Sequence, residues 1–241
     1  MNVDIVMRLM NNETDLGRPP IKDRDDFHIA ADRRAQQFYE QGIPLAAIFI
    51  DLNHLKPVND TYGHAEGDRA LDGLRDVIQN QFRQLPGLGR AQDVVERRET
   101  HLEAQNTNDI VPSLVIDAGR LGGDEFCVLC DTDDSGAIVV SERIRQTFDE
   151  FIASPGNEHL KDSGVSLAIG VSVMQPGMDV NTLLSLADQE MYLDKYSQLK
   201  PLNTDQEQRI REFFDWIGKQ EIRLRDLGKY AILLGLIQQE K

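Results

Sequence analysis

Apolar residues recur along this chain in two rhythms. Over residues 25–41, DDFHIAADRRAQQFYEQ, the residues Phe27, Ala30, Ala31, Ala35 and Phe38 fall at helical spacing, which predicts an amphipathic helix. LAAIFIDL (45–52) is instead an unbroken apolar run, the pattern of a central strand covered on both faces. AEGDRALDGLRDVIQNQF (65–82) returns to the helical rhythm, with Leu71, Leu74, Val77, Ile78 and Phe82 on one face. Residues 83–113 are polar and charged, with room for one short helix. A polar stretch of that length inside a compact domain reads as a surface insertion. LVIDAGRL and FCVLCDT flank a pair of glycines and predict a hairpin. A helix over 136–153, a strand over 165–174 and a helix over 180–199 follow.

Helices interleaved with strands, plus one hairpin, predict an α/β fold of the α+β sandwich kind, with helices covering a mixed sheet. The division expected is an N-terminal arm (1–20), a main domain (21–200) carrying the 83–113 insertion, and an extension (201–241). In that extension Ile210, Phe213, Ile217, Leu224, Leu227, Ala231 and Leu234 follow a seven-residue repeat interrupted by Gln220. The pattern predicts an amphipathic helix or helix pair, packed on its own domain or against another chain. Gly218, Gly228 and Gly235 weaken a continuous coiled coil.

Charge narrows the function. The net charge of −15 argues against nucleic acid, whose phosphates need a basic footprint. It leaves room for small phosphorylated substrates held by a few local cations and a metal. No apolar run reaches transmembrane length and MNVDIVMRLMNNETD lacks the plan of a signal peptide, so a cytoplasmic location without membrane contact is expected. The two cysteines, Cys127 and Cys130, are too few for a zinc site. Three apart on a strand, they face opposite sides and read as buried thiols.

The chemistry is concentrated in three places. GRLGGDEF (119–126) sets two bare backbone positions before two adjacent carboxylates. Both choices weaken a strand, which suggests a tight turn that something approaches closely. FIDLNHLKPVNDTYGHAEGD (49–68) ends an apolar strand on Asp51 and continues through Lys56, Asn59, Asp60, His64 and Asp68. A buried carboxylate at Asp51 needs a partner or a metal. Lys195 closes the last helix. With the first strand beside the hairpin, Asp51 and Asp124 converge, and two carboxylates with phosphate oxygens and water suit magnesium. Gly122 and Gly123 then keep side chains out of a nucleotide's space. Lys56 and Lys195 can neutralise a triphosphate, and Asn59 and Asp68 can read guanine. Glu125 can accept a proton from an attacking hydroxyl or hold a second metal.

These motifs resemble the GGDEF family of diguanylate cyclases. The match includes Gly122–Phe126 with Arg120 before it, D-L-N-x-L-K-x-x-N-D-x-x-G-H-x-x-G-D at 51–68, and LADQEMYLDK at 186–195, similar to the closing A-D-x-x-x-Y-x-x-K. IKDRDDF (21–27) is a weaker echo of the family's opening. The resemblance implies an adenylyl-cyclase-like palm with a five-stranded sheet. It implies one GTP per domain, a homodimer, and Mg²⁺ or Mn²⁺. In such a dimer each 3′-hydroxyl attacks the other nucleotide's α-phosphate, giving cyclic di-GMP and two pyrophosphates. It makes Asp51, Asp124, Glu125 and the Leu52 carbonyl the metal ligands, and Glu125 the group that activates the hydroxyl. Asn59 and Asp68 hold guanine; Lys56, Lys195 and backbone N–H groups near His54 and Leu55 hold phosphate.

The sequence departs from the family in two places. The inhibitory product site, Arg-x-x-Asp, falls on Ser113 and Ile116, so feedback inhibition through it is not expected. The phosphate-binding Arg after the last helix falls on Leu199, with Lys200 next to it; a point charge does not replace Arg's fork. With only some twenty residues ahead of the domain, control is expected through the insertion, the tail or a protein partner of the tail. The alternative reading is a catalytically silent GTP-binding module that signals by conformation.

Overall fold

The computed structural model describes residues 20–82 and 115–199, with residue 204 and residues 208–213 of the tail. Most of the arm, the insertion and most of the extension lie outside these. The elements are α1 (Arg24–Gln41), β1 (Ala46–Asn53), α2 (Leu55–Tyr62), α3 (His64–Gln81), β2 (Val115–Arg120), β3 (Glu125–Cys130), α4 (Asp134–Ala153), α5 (Glu158–Asp162), β4 (Ser166–Val173) and α6 (Val180–Leu199). Local chemistry sets several of their ends. Asp23 caps α1 by accepting from the Asp26 N–H, and Gly42 ends it in the left-handed region. Asp133 caps α4 in the same way, from the Gly136 N–H.

The four described strands lie in the order β2-β3-β1-β4, and every ladder is antiparallel. The expected sheet was mixed and five-stranded; the described one has four strands and no parallel ladder, with a single parallel bridge from Lys22 to Gly119. The physical reason lies in the crossovers. β3 and β4 run the same way, joined through α4, but β1 is inserted between them. β1 and β2 likewise run the same way, with β3 between them. Two interleaved βαβ units therefore give antiparallel neighbours.

All eight residues of β1 are buried, because helices cover both faces. Period-two alternation divides its side chains. Ala46, Ile48, Ile50 and Leu52 join Leu71, Leu74 and Ile78 of α3 and Val140, Ile144 and Phe148 of α4. Ala47 and Phe49 join Phe27, Ala31 and Ala35 of α1 and Leu183, Ala187 and Met191 of α6. Burying an aliphatic or aromatic side chain of this size contributes about 1.5–3 kcal/mol. Cys127 lies in the α1/α6 core and Cys130 in the α3/α4 core, the opposite faces expected.

α6 lies unusually close to β4. A Cβ on Gly170 would stand 2.0 Å from the Met191 amide nitrogen and 2.1 Å from the Ala187 carbonyl oxygen, so only glycine admits that approach. Asp194 then accepts from the Ile169 N–H at 2.8 Å and from Arg145 at 2.9 Å. Arg145 and Gln198 donate to the Leu167 carbonyl. Side chains thus satisfy backbone groups on the outer edge of β4. At the start of the tail, Arg211 makes a two-pronged ion pair with Glu190 of α6, and Ile210 is buried. That turn of the extension therefore packs on its own domain.

Candidate active site

The register of the sheet builds the site. Asp51 shares the α6 face of β1 with Ala47 and Phe49, and its direct partner on β3 is Glu125. Glu125 shares that face with Cys127 and Leu129. Two carboxylates thus stand directly across a ladder, an arrangement that repels unless a cation intervenes. Asp124 is the next residue toward the turn, and its carbonyl accepts from the Leu52 N–H at 3.2 Å. Asp124 thus lies beside the Asp51 end of the ladder through its backbone, with Glu125 rather than Asp124 directly opposite Asp51.

Asp51 is only 6% exposed. Burial pushes its carboxyl above the ordinary value, the Lys195 ammonium pulls it back, and Asp124's charge adds to the rise. Lys195 Nζ donates to Asp51 Oδ1 at 2.6 Å. The lysine assigned to phosphate is thus found on a carboxylate. Tyr192, one turn earlier on α6, is half-buried; burial raises its hydroxyl pKa most, and Asp188, Asp51 and Glu125 add to the rise.

The turn between β2 and β3 is closed by Leu121 N–H donating to the Glu125 carbonyl at 2.8 Å. Arg120 donates to the carbonyls of Gly122 and Gly123 and lies over the Phe126 ring, 5.8 Å from its centroid. Neither glycine has a positive φ, so the need is for space rather than for an unusual dihedral. A Cβ on Gly122 would meet the Glu125 carboxylate at 2.5 Å, while one on Gly123 would enter open space.

A second group sits on the α2–α3 elbow. His54 turns the chain out of β1 with φ 64°, the one positive φ outside glycine among the described residues. Its ring nitrogen Nδ1 lies 2.9 Å from the Gly164 carbonyl. α2 follows with Leu55 at its start and the exposed Lys56 next. Asn59 packs against α3 where Gly67 leaves room; a Cβ there would stand 2.0 Å from Asn59 Oδ1. That oxygen faces Gly67 and is buried without a hydrogen-bond partner, an unmet acceptor of the elbow. Asp68, beside Gly67, is exposed, as are Asp60 and His64. α5 braces the elbow: the rings of Tyr62 and His159 stack 4.3 Å apart. Asp51, Asp124, Glu125 and Lys195 are therefore one group and Asn59, Gly67 and Asp68 another. Ser113, the Leu199 side chain and Lys200 lie outside the described residues.

The acid group fits a hard divalent cation by donor chemistry, since its side chains offer oxygen alone. Among the described residues no three such side chains already converge as a metal cluster, and an ammonium holds Asp51 instead.

The family described as "Diguanylate cyclase, GGDEF domain" matches residues 21–97 and 116–199, more than half of the chain. The chain belongs to the GGDEF family. It is 27% identical to diguanylate cyclase DosC of Escherichia coli K12 over 155 residues, 64% of this chain and 27% of that protein. It is 30% identical to cyclic di-GMP phosphodiesterase NbdA of Pseudomonas aeruginosa over 130 residues, 54% of this chain and 13% of that protein. The chain thus spans about a quarter or less of these relatives. The solved active GGEEF domain of a Vibrio cholerae diguanylate cyclase superposes with a TM-score of 0.55 at 24% identity, covering 73% of this chain and 92% of that one. Among the described residues no helix is long and apolar enough to cross a membrane.

Within this GGDEF domain, sequence reasoning overlooked Tyr192 and Gly170. Tyr192 was available as the aromatic of the closing motif, three residues before Lys195. Gly170 carried no signal, because the approach it permits is made by a helix distant in sequence.

Proposed function

We propose that this GGDEF domain is a diguanylate cyclase that joins two GTP into cyclic di-GMP. The observation that carries the reading is the placement of Asp51 opposite Glu125, with Asp124 beside it, at an end of the sheet where Gly123 opens onto free space. Asp51, Asp124, Glu125 and the Leu52 carbonyl are the groups that would hold Mg²⁺ or Mn²⁺. Bound there, the ion supplies charge neutralisation at the phosphates.

The remaining work belongs to the chain. Asn59 and Asp68 orient guanine from the elbow. Lys56, Lys195 and the N–H groups near His54 and Leu55 hold the phosphates. Glu125 takes the proton of the 3′-hydroxyl as its oxygen bonds to the α-phosphorus; the bond from that phosphorus to the β-bridging oxygen breaks, and pyrophosphate leaves. A second such transfer closes the ring. In this reading each chain holds one GTP and the product joins two, so two copies meet as a homodimer. Product inhibition through Arg-x-x-Asp is absent in this reading: Ile116 packs against the α1/α6 core, and Asp117 is buried between Lys22 and Arg34.

A second reading, a silent GTP-binding module, is favoured by the likeness to NbdA, a protein named for the opposite reaction. Incubation with GTP and Mg²⁺ and chromatography of the nucleotides separates the two. Cyclic di-GMP from the wild type and none from Asp124→Ala is expected. GTP bound but never converted would select the silent module.

A further inference from the structure

Lys195 is held in a position that conflicts with the ion this site suits. Its Nζ lies 2.6 Å from Asp51 Oδ1, an oxygen of a nearly buried carboxylate facing Glu125 across the ladder. α6 has no freedom to carry the lysine away as a body, because Gly170 locks it onto β4 and Asp194 ties it to the Ile169 N–H. The side chain itself is 35% exposed, so its long stem can swing while the helix stays.

We propose that Lys195 is a built-in cation that competes with the divalent metal for Asp51. Entry of the metal expels the ammonium, which is then free to meet an anion. This rests on the metal-site reading above. A divalent ion on either oxygen of this carboxylate would stand a few ångströms from the ammonium on Oδ1 and be strongly repelled by it in a partly buried site. Metal alone therefore binds weakly. Metal accompanied by a phosphate chain binds well, because the phosphates receive the displaced lysine. Coupling of this kind is reciprocal: whatever stabilises the swung-out lysine strengthens metal binding by the same factor. The free enzyme is thus guarded against capturing metal without nucleotide.

The test is Mn²⁺ binding to the full chain without nucleotide, followed by electron paramagnetic resonance of free Mn²⁺. Lys195→Met should bind Mn²⁺ about tenfold or more tighter than the wild type, as expected when a competing unit charge a few ångströms away is removed. Lys195→Arg, which keeps the cation, should stay within about threefold of the wild type. Lys195→Gln keeps a donor for Asp51 without the charge and replaces the Met variant where that one does not fold. Equal or weaker Mn²⁺ binding in the neutral variants overturns the competition and leaves the metal site standing. No Mn²⁺ bound by any of these variants, with Asp124→Ala no different, overturns the metal site and the competition together.

Discussion

The acid group on β1 and β3 and the amide–acid pair on the α2–α3 elbow are built by different rules. Asp51 and Glu125 are fixed by strand register between two cores and oppose each other across the ladder. Asn59 and Asp68 ride on short or surface-facing turns of helix, one with an unmet buried oxygen and the other exposed. The first region stores electrostatic cost on a rigid frame, which suits groups that act in the reaction. The second is unfinished until a ligand arrives, which suits recognition. On this contrast, changes in the first region should be read in kcat and changes in the second in KM.

The largest effect should come from the stored cost. Asp51→Asn keeps the shape and removes one charge. Its kcat for cyclic di-GMP formation should fall by at least about a thousandfold. Its thermal midpoint should stay level or rise, because a buried, half-compensated carboxylate is gone. A calorimetric scan beside a turnover assay reads both. A variant that loses stability along with activity would make Asp51 a structural residue and erase the contrast between the regions.

Next comes the frame. Gly170→Ala puts a methyl group against the backbone of α6, and overpacking of this kind costs about 1–3 kcal/mol, occasionally more. The same shift would carry Lys195 away from Asp51. Chemical denaturation should show the loss, and a variant as stable as the wild type would mean that α6 is not locked as described.

The frame is also where sequence reading stopped. The buried run of β1 was legible because both of its faces are covered, and alternation from Phe49 fixes where Asp51 points. The hairpin pair β2–β3 was legible, but the antiparallel placing of β1 between β3 and β4 was not, since helices between strands ordinarily bring parallel neighbours and here each crossover skips over an inserted strand. α2 was hidden because LKPVNDTY carries a proline, an asparagine and an aspartate; Pro57 is tolerated in the first turn, where its missing N–H has no partner to lose. The bond between Lys195 and Asp51 spans 144 positions and depends on the closeness of α6 at Gly170, which no local pattern announces.

A smaller effect is expected at the elbow. Asn59→Ala should raise KM for GTP about tenfold with kcat little changed, the loss of one or so buried hydrogen bonds to the base. The free protein should not be destabilised, since Asn59 Oδ1 has no partner to lose. Asp68→Ser should narrow the preference for GTP over ATP. Steady-state kinetics with both nucleotides checks this pair. A fall in kcat at constant KM would place the elbow among the reacting groups and dissolve the distinction.

The smallest effect should be none, and it tests whether the acid region is as rigid as its register suggests. Cys127 lies two residues from Glu125 on the same face of β3, and Cys130 lies on the other. Burial raises both thiol pKa values, that of Cys130 to about 12, so neither supplies thiolate in the native protein at neutral pH. Reaction with a disulfide reagent should therefore wait for unfolding, and mass spectrometry should find both cysteines labelled at one common slow rate. Faster labelling of Cys127 would mean that the α6 face opens while the α3/α4 face stays closed. The acid group would then share the looseness of the elbow, and the division between a rigid reacting region and a ligand-completed one would fail at its first term.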